Sequence, residues 1–205
     1  ITGITTNGKL EKNRFNGELT TEDENLRMHF EGLADLRGRW PLVDFSAEVD
    51  HMDLRALGFV DAVGYNSLKL HVAASGRLSP DSLLGILALR DISYCVGSKD
   101  HELGDVLLRS GRENGTNILE LDADFANARV EGTFLPTRLV ALAANTVYSV
   151  FPALQNDVVY KHADQQFSFN VVTGDSKAIL DLVAPGLEIA PGSTARGSLD
   201  SRSFD

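Results

Sequence analysis

The side chains able to do chemistry are few and poorly grouped for it. The five histidines are His29, His51, His71, His101 and His162. No two stand at the i,i+4 spacing of a helical metal pair, and none belongs to a Cys–His cluster. His29 and His71 fall on the polar faces of alternating stretches, where solvated side chains are expected. Asp50-His51-Met52-Asp53 sets acid beside imidazole, but neighbours at a strand-to-helix junction point in different directions. Asp122 and Asp124 could share a strand face near calcium, yet a strand supplies only part of the roughly six to eight oxygens that ion takes. A charged outer face is the expectation there. Cys95, the single cysteine, lies between Tyr94 and Val96 with no adjacent cation to lower its pKa, which reads as a small buried thiol. It permits neither an internal disulfide nor a thiolate metal cluster. No phosphate-binding glycine loop, nucleophile elbow or dinucleotide fingerprint is present. The expectation is a protein that is not an enzyme and holds no cofactor and no metal.

Composition narrows the classes further. The chain has 205 residues, 43% of them hydrophobic, and a formal charge of −10. That hydrophobic share is ordinary for a folded protein. The negative balance argues against nucleic acid, which requires clustered Lys and Arg against phosphates, and weakly against an anionic membrane surface. No run of about 18 apolar residues exists, so no helical span is expected. The chain opens on Ile1-Thr2-Gly3 rather than on Met or a charged signal segment. An excised piece is expected, with any anchor outside it.

Alternation with period two dominates the elements that must position these residues. Gly104–Arg109 and Asn117–Phe134 hold two strand-like runs separated by the turn-rich 110–115. In the second, Leu119, Leu121, Ala123 and Phe125 share one face against Glu120, Asp122 and Asp124. Leu26, Met28 and Phe30 alternate with Arg27, His29 and Glu31. Gly38-Arg39-Trp40-Pro41 interrupts, and Val43, Phe45, Ala47 and Val49 resume. Leu68, Leu70, Val72 and Ala74 form another such face, as do Phe167, Phe169 and Val171, with Leu187 and Ile189 following. Within 86–96 the alternation changes phase between Leu89 and Ile92, as a β-bulge requires. Asn7-Gly8 and Asn16-Gly17 read as hairpin turns, because both residue types tolerate positive φ.

Helical signals are short, with one exception. Asp53-Leu-Arg-Ala-Leu57 before Gly58 reads as one capped turn, and Ser79-Pro80 as the start of a short helix through Leu84. Leu139, Leu142, Ala143, Val147 and Val150 recur at helical spacing, which predicts a longer helix over 136–150 ending by Pro152. The tail from Gly192 suits a further strand whose partner is missing. A weak motif of glycine, any residue, apolar residue recurs at Gly8, Gly17, Gly76, Gly104, Gly132 and Gly197. Its spacing is too irregular for a solenoid. Related strands, with glycine allowing twist or a bulge, are the reading.

Phe30-Glu31-Gly32 with Trp40-Pro41, Asp53–Leu57, Gly104-Asp105-Val106 and above all 121–132 resemble the TamB branch of the AsmA-like proteins, large envelope proteins of Bacteroidetes-type bacteria. The likeness covers about residues 1–154 and fades beyond. It implies an elongated, mainly β segment: a long antiparallel sheet curled into an apolar-lined trough, with 1–135 strand-rich, 136–152 helical and 153–205 adding strands. It also implies a periplasmic location, an inner-membrane anchor and a TamA-like outer-membrane barrel partner bound through regions outside this chain. Phospholipid movement between membranes, or support of outer-membrane protein assembly, would be the task.

On that resemblance the residues expected to face acyl chains are Leu26, Met28, Phe30, Val43, Phe45, Val49, Leu68, Leu70, Val72, Leu119, Leu121, Phe125, Phe167, Phe169 and Val171. A closed sandwich or barrel demands the same alternation, so an open trough and a filled core both remain. The alternative task is capture of a partner strand at an exposed sheet edge.

Overall fold

The computed structural model describes residues 1–38, 40–59, 66–78, 83–135 and 165–200. The predicted helix over 136–150, His162 and residues 79–82 lie outside them. The strands are β1 (Ile4–Glu11), β2 (Arg14–Glu22), β3 (Leu26–Asp35), β4 (Leu42–Asp53), β5 (Asn66–Leu78), β6 (Leu83–Val96), β7 (Lys99–Glu113), β8 (Thr116–Ala123), β9 (Ala126–Thr133), β10 (Gln166–Thr173) and β11 (Thr194–Asp200). They form one antiparallel sheet whose spatial order is the sequence order. Among the described residues β1 and β11 each pair on one side only, so the sheet does not close. The only described helix, α1 (Lys177–Val183), touches β7.

Local chemistry sets the turns. Lys12 and Asn13 at φ 43° and 63°, and Asn114 and Gly115 at 49° and 83°, have the paired positive φ of two-residue hairpins. The hairpins expected at Asn7-Gly8 and Asn16-Gly17 are therefore corrected. Both dipeptides lie inside strands, and Gly8 faces Gly17 across β1 and β2. The β7–β8 turn is also tighter than expected, since β7 runs on through Glu113.

Other expectations hold. Asp53 Oδ1 accepts from the N–H groups of Arg55 and Ala56 at 3.0 and 2.9 Å. Gly58 at φ 78° ends that turn. The register shifts between Leu89 and Ile92, where Asp91 sits at φ 51° and its N–H reaches Asp105 Oδ1 at 2.9 Å. Further corrections fall on the second half. Leu83 and Leu84 belong to β6 and not to a helix. Leu187 and Ile189 lie outside any strand, in the β10–β11 connection that carries the unforeseen α1. The tail strand β11 has its partner in β10.

The sheet is curled into a trough. Gly76 and Gly85 face each other across β5 and β6 at φ 157° and 158°, a region other residues enter only with strain. An added Cβ on either would stand 2.3 Å from a carbonyl oxygen of the opposite strand. Here the backbones approach as only bare glycines allow, and such kinks bend a sheet out of plane.

Candidate functional site

Directly paired residues of antiparallel strands project from the same face, so the register traces continuous rows of side chains across the sheet. One row runs Gly8, Gly17, Gly32, Phe45, Ala74, Leu87, Leu108, Leu121, Ala128, Val171, Ala195. Its neighbour runs Leu10, Phe15, Ala34, Val43, Gly76, Gly85, Ser110, Leu119, Val130, Phe169, Gly197. Each crosses all eleven strands without a charged member. On this inner face no Asp or Glu occurs at any paired position of the described strands. Its formal charges are Lys99 and Arg112, near opposite ends of β7.

The face is half covered by its own side chains and by little else. Fully buried apolar residues are few; Val49, Leu70 and Ile92 make one cluster, flanked by Met28, Met52, Leu68, Val72, Leu89, Leu103 and Val106. Most remaining apolar inner positions are intermediate in exposure. Among the described residues no second sheet lies against them. A folded layer ordinarily buries its apolar face against another; here the described chain supplies only α1, near β7. Ten inter-strand spacings of about 4.8 Å give the floor a length of about 48 Å along the sheet.

Aromatic rings and glycines fit together on the floor. Phe15, Phe30 and Phe45 stack obliquely across β2, β3 and β4, with centroids 5.8 and 5.0 Å apart. Phe134 meets Phe167 edge-on at 6.0 Å. A Cβ on Gly197 would stand 2.8 Å from the Phe169 ring, so that ring lies over bare backbone. This explains the glycine, any residue, apolar residue motif: the first and third positions share the inner face.

Fourteen of the fifteen expected acyl-facing residues lie on this face, connected through the register. Phe125 is the exception. The strand stops at Ala123, which pairs with Ala126, and Asp124-Phe125 forms the turn between them. Gly174 and Asp175 donate their N–H groups to the carbonyls of Phe125 and Asp124 at 2.8 and 3.0 Å, tying the α1 connection to this turn. Phe125 accordingly lines a cleft of about 450 Å³ with His101, Leu103 and Ile179. The sequence reading missed Phe15, Leu19, Leu87, Leu89, Val106, Leu108 and Val130 on the same floor. Their alternation was the available signal, blurred by the β6 bulge and by the glycines of β2.

The outer face carries nearly all of the charged strand residues, together with some apolar ones, among them exposed Ile86 and buried Ile118. His29 meets Thr20 Oγ1 at 3.1 Å, and His71 lies between Glu48 and Asp91 at 3.2 Å from each. Arg129 pairs with Glu120 and Glu131. Asp122 faces outward beside Asn127, while Asp124 caps the Asp105 N–H at 3.1 Å. A hydrogen bond to Asp100, with burial and the same carboxylate's charge, pushes the Cys95 thiol up. That is the reverse of an activated nucleophile. Among the described residues no three or more His, Cys, Asp or Glu side chains are placed to hold a metal. No described helix is long and apolar enough to cross a membrane.

The chain matches no family model, no curated protein and no solved structure. The geometry of the trough therefore stands by itself.

At one corner Asp23, 6% exposed, accepts from the N–H of Asn25 at 2.9 Å and from both the N–H and the hydroxyl of Thr2. Those bonds, Asn25's first, hold its carboxyl down at about 2. They pin the start of β1 to the β2–β3 turn.

Proposed function

We propose that this chain is a non-enzymatic segment of a TamB-like envelope protein, whose trough carries phospholipid acyl chains between inner and outer membranes. The observation supporting the reading is the pair of uncharged rows that crosses all eleven strands on a face left half exposed by the described chain. An acyl chain laid on that face exchanges water for hydrocarbon at roughly 0.8 kcal/mol per CH₂. No charged row interrupts its path from β1 to β11. On this reading the segment lies in the periplasm, and the membrane anchor and the barrel partner belong to other parts of the protein.

Native mass spectrometry of the chain, purified without detergent and then mixed with phospholipid vesicles, tests the reading. Retained mass equal to one or more diacyl lipids is the expected result. A chain that stays lipid-free at saturating vesicle concentration refutes it.

The alternative, capture of a partner strand, draws on a separate observation. Edge strand β1 contains no proline, and its inner-face residues Ile4 and Leu10 are 57% and 75% exposed. An added strand would extend the rows and cover both. Proline at Thr5 or Asn7 should abolish such capture while leaving lipid uptake intact.

A further inference from the structure

The cleft of about 450 Å³ lies where α1 meets the start of β7, and its size is that of pockets which hold small ligands. Lys99 and His101 line it from the inner face, paired in register with Val96 and Tyr94. Leu103, Phe125 and Ile179 give it apolar walls. Asp100 and Glu102 also border it, but their register partners Cys95 and Ser93 put them on the outer face, and their carboxylates turn away from it.

His101 marks this cleft as a site. The residue is only 7% exposed, yet its imidazole makes no hydrogen bond or ion pair with any described residue. Buried polar side chains ordinarily have a partner, and the cleft is where one fits.

The charges around the cleft are unevenly matched. Lys99 and Lys177 both reach Asp181, at 3.6 and 3.2 Å, so both ammoniums are engaged. Asp124 and Asp175 have no cation among the described residues. Their backbones are bonded directly, the Asp175 N–H donating to the Asp124 carbonyl at 3.0 Å. Each carboxylate accepts one backbone N–H, from Asp105 at 3.1 Å and from Lys177 at 3.3 Å, and each keeps further acceptor capacity. Asp124 is set over the bare backbone of Gly104, where an added Cβ would strike its carboxylate. Two like charges on neighbouring backbones repel until a cation comes between them.

We propose that this cleft binds an amphiphilic amine, its protonated primary ammonium held by Asp124, Asp175 and His101 and its alkyl chain lying against Leu103, Phe125 and Ile179. An ammonium has three donors and no acceptor, which suits two carboxylates and one imidazole nitrogen. The Phe125 ring adds a cation–π attraction. A carboxylate ligand would meet two uncompensated acids, and an alcohol would leave them unpaired. The site is separate from the two apolar rows, which cross β7 at Leu108 and Ser110, and does not depend on what those rows carry.

The test is titration of the ¹⁵N-labelled chain with octylamine, octanol and octanoate, followed by amide shifts. Octylamine should bind several-fold more tightly than octanol and octanoate, moving the amides of His101, Leu103, Phe125 and Ile179. In the Asp124→Asn/Asp175→Asn chain its affinity should fall to that of octanol, whose own binding stays unchanged. His101→Phe, which keeps a ring of similar bulk, should weaken octylamine several-fold and spare octanol. Should the double variant lose its fold by circular dichroism, Asp175→Asn alone, at an exposed carboxylate, gives the same readout with a smaller change. Octanoate or octanol binding as tightly as octylamine overturns the proposal, as does failure of all three to bind. Loss of octylamine binding in the Leu108→Arg chain would place the amine on the apolar rows and overturn it too.

Discussion

Replacing Gly76 by alanine puts the origin of the curl under direct test. At φ 157° the new residue occupies backbone space that costs about 1–3 kcal/mol for anything but glycine. Its Cβ would stand 2.3 Å from the Leu84 carbonyl oxygen and 2.7 Å from the Gly85 Cα. Both are backbone atoms, so no side chain can swing aside. Relieving that overlap adds an overpacking cost of about 1–3 kcal/mol. A total of about 3 kcal/mol is a large part of the roughly 5–15 kcal/mol that holds a domain folded. With a urea m-value of about 2–3 kcal/mol/M the midpoint should drop by about 1–1.5 M in a circular-dichroism titration. Gly111→Ala is the matched control: it lies in β7, has no strained φ, and its Cβ would meet nothing within 4 Å. It should be neutral or gain about 0.4–1 kcal/mol by stiffening the unfolded chain. In the Gly76→Ala/Gly85→Ala double variant the two costs should not add, because each new Cβ strikes the backbone that the other displaces. Equal midpoints for Gly76→Ala and Gly111→Ala would refute the argument that close glycine contact shapes the sheet.

Three further outcomes are expected. Leu108→Arg places a cation in the middle of an uncharged row; it should remove lipid retention in native mass spectrometry, whereas Asp122→Asn on the outer face leaves retention unchanged. Asp23 has its carboxyl lowered to about 2 in the folded state, so its contribution is complete above the ordinary carboxylate pKa near 3.8 and is lost as pH falls from about 4 toward 2. Protection of the β1 amides, referred to the intrinsic exchange rate at each pH, should fall over that window, and Asp23→Asn should flatten the dependence. For Cys95, removing the neighbouring carboxylate by Asp100→Asn should let the thiol pKa fall; alkylation near pH 8 should quicken, and an unchanged rate would exclude Asp100 as the cause.

Strand content and the inner face were legible because period two survives in a single strand, without knowledge of partners. Leu26, Met28 and Phe30 read the same way alone as they do in the sheet. Even the β6 bulge left a trace, since a skipped residue reverses the alternation. What was not legible depends on pairing. Asn7-Gly8 has the chemistry of a turn, and only Gly17 opposite it makes it a strand crossing. Phe125 continues an alternating pattern past the point where Ala123 and Ala126 pair and end the strand. The seven residues of α1 are too few for helical periodicity to declare itself. Whether the apolar face is floor or core is likewise a property of what lies across from it, and no run of letters encodes that.

Because every strand hydrogen-bonds to the strands next to it in sequence, length and cross-section are set independently. Inserting one more hairpin of the same pattern would lengthen the molecule by about 9.6 Å, two strand spacings, and deleting one would shorten it equally, with the width untouched. Such a chain can be fitted to a gap of given size by counting hairpins, much as a ladder is sized by its rungs.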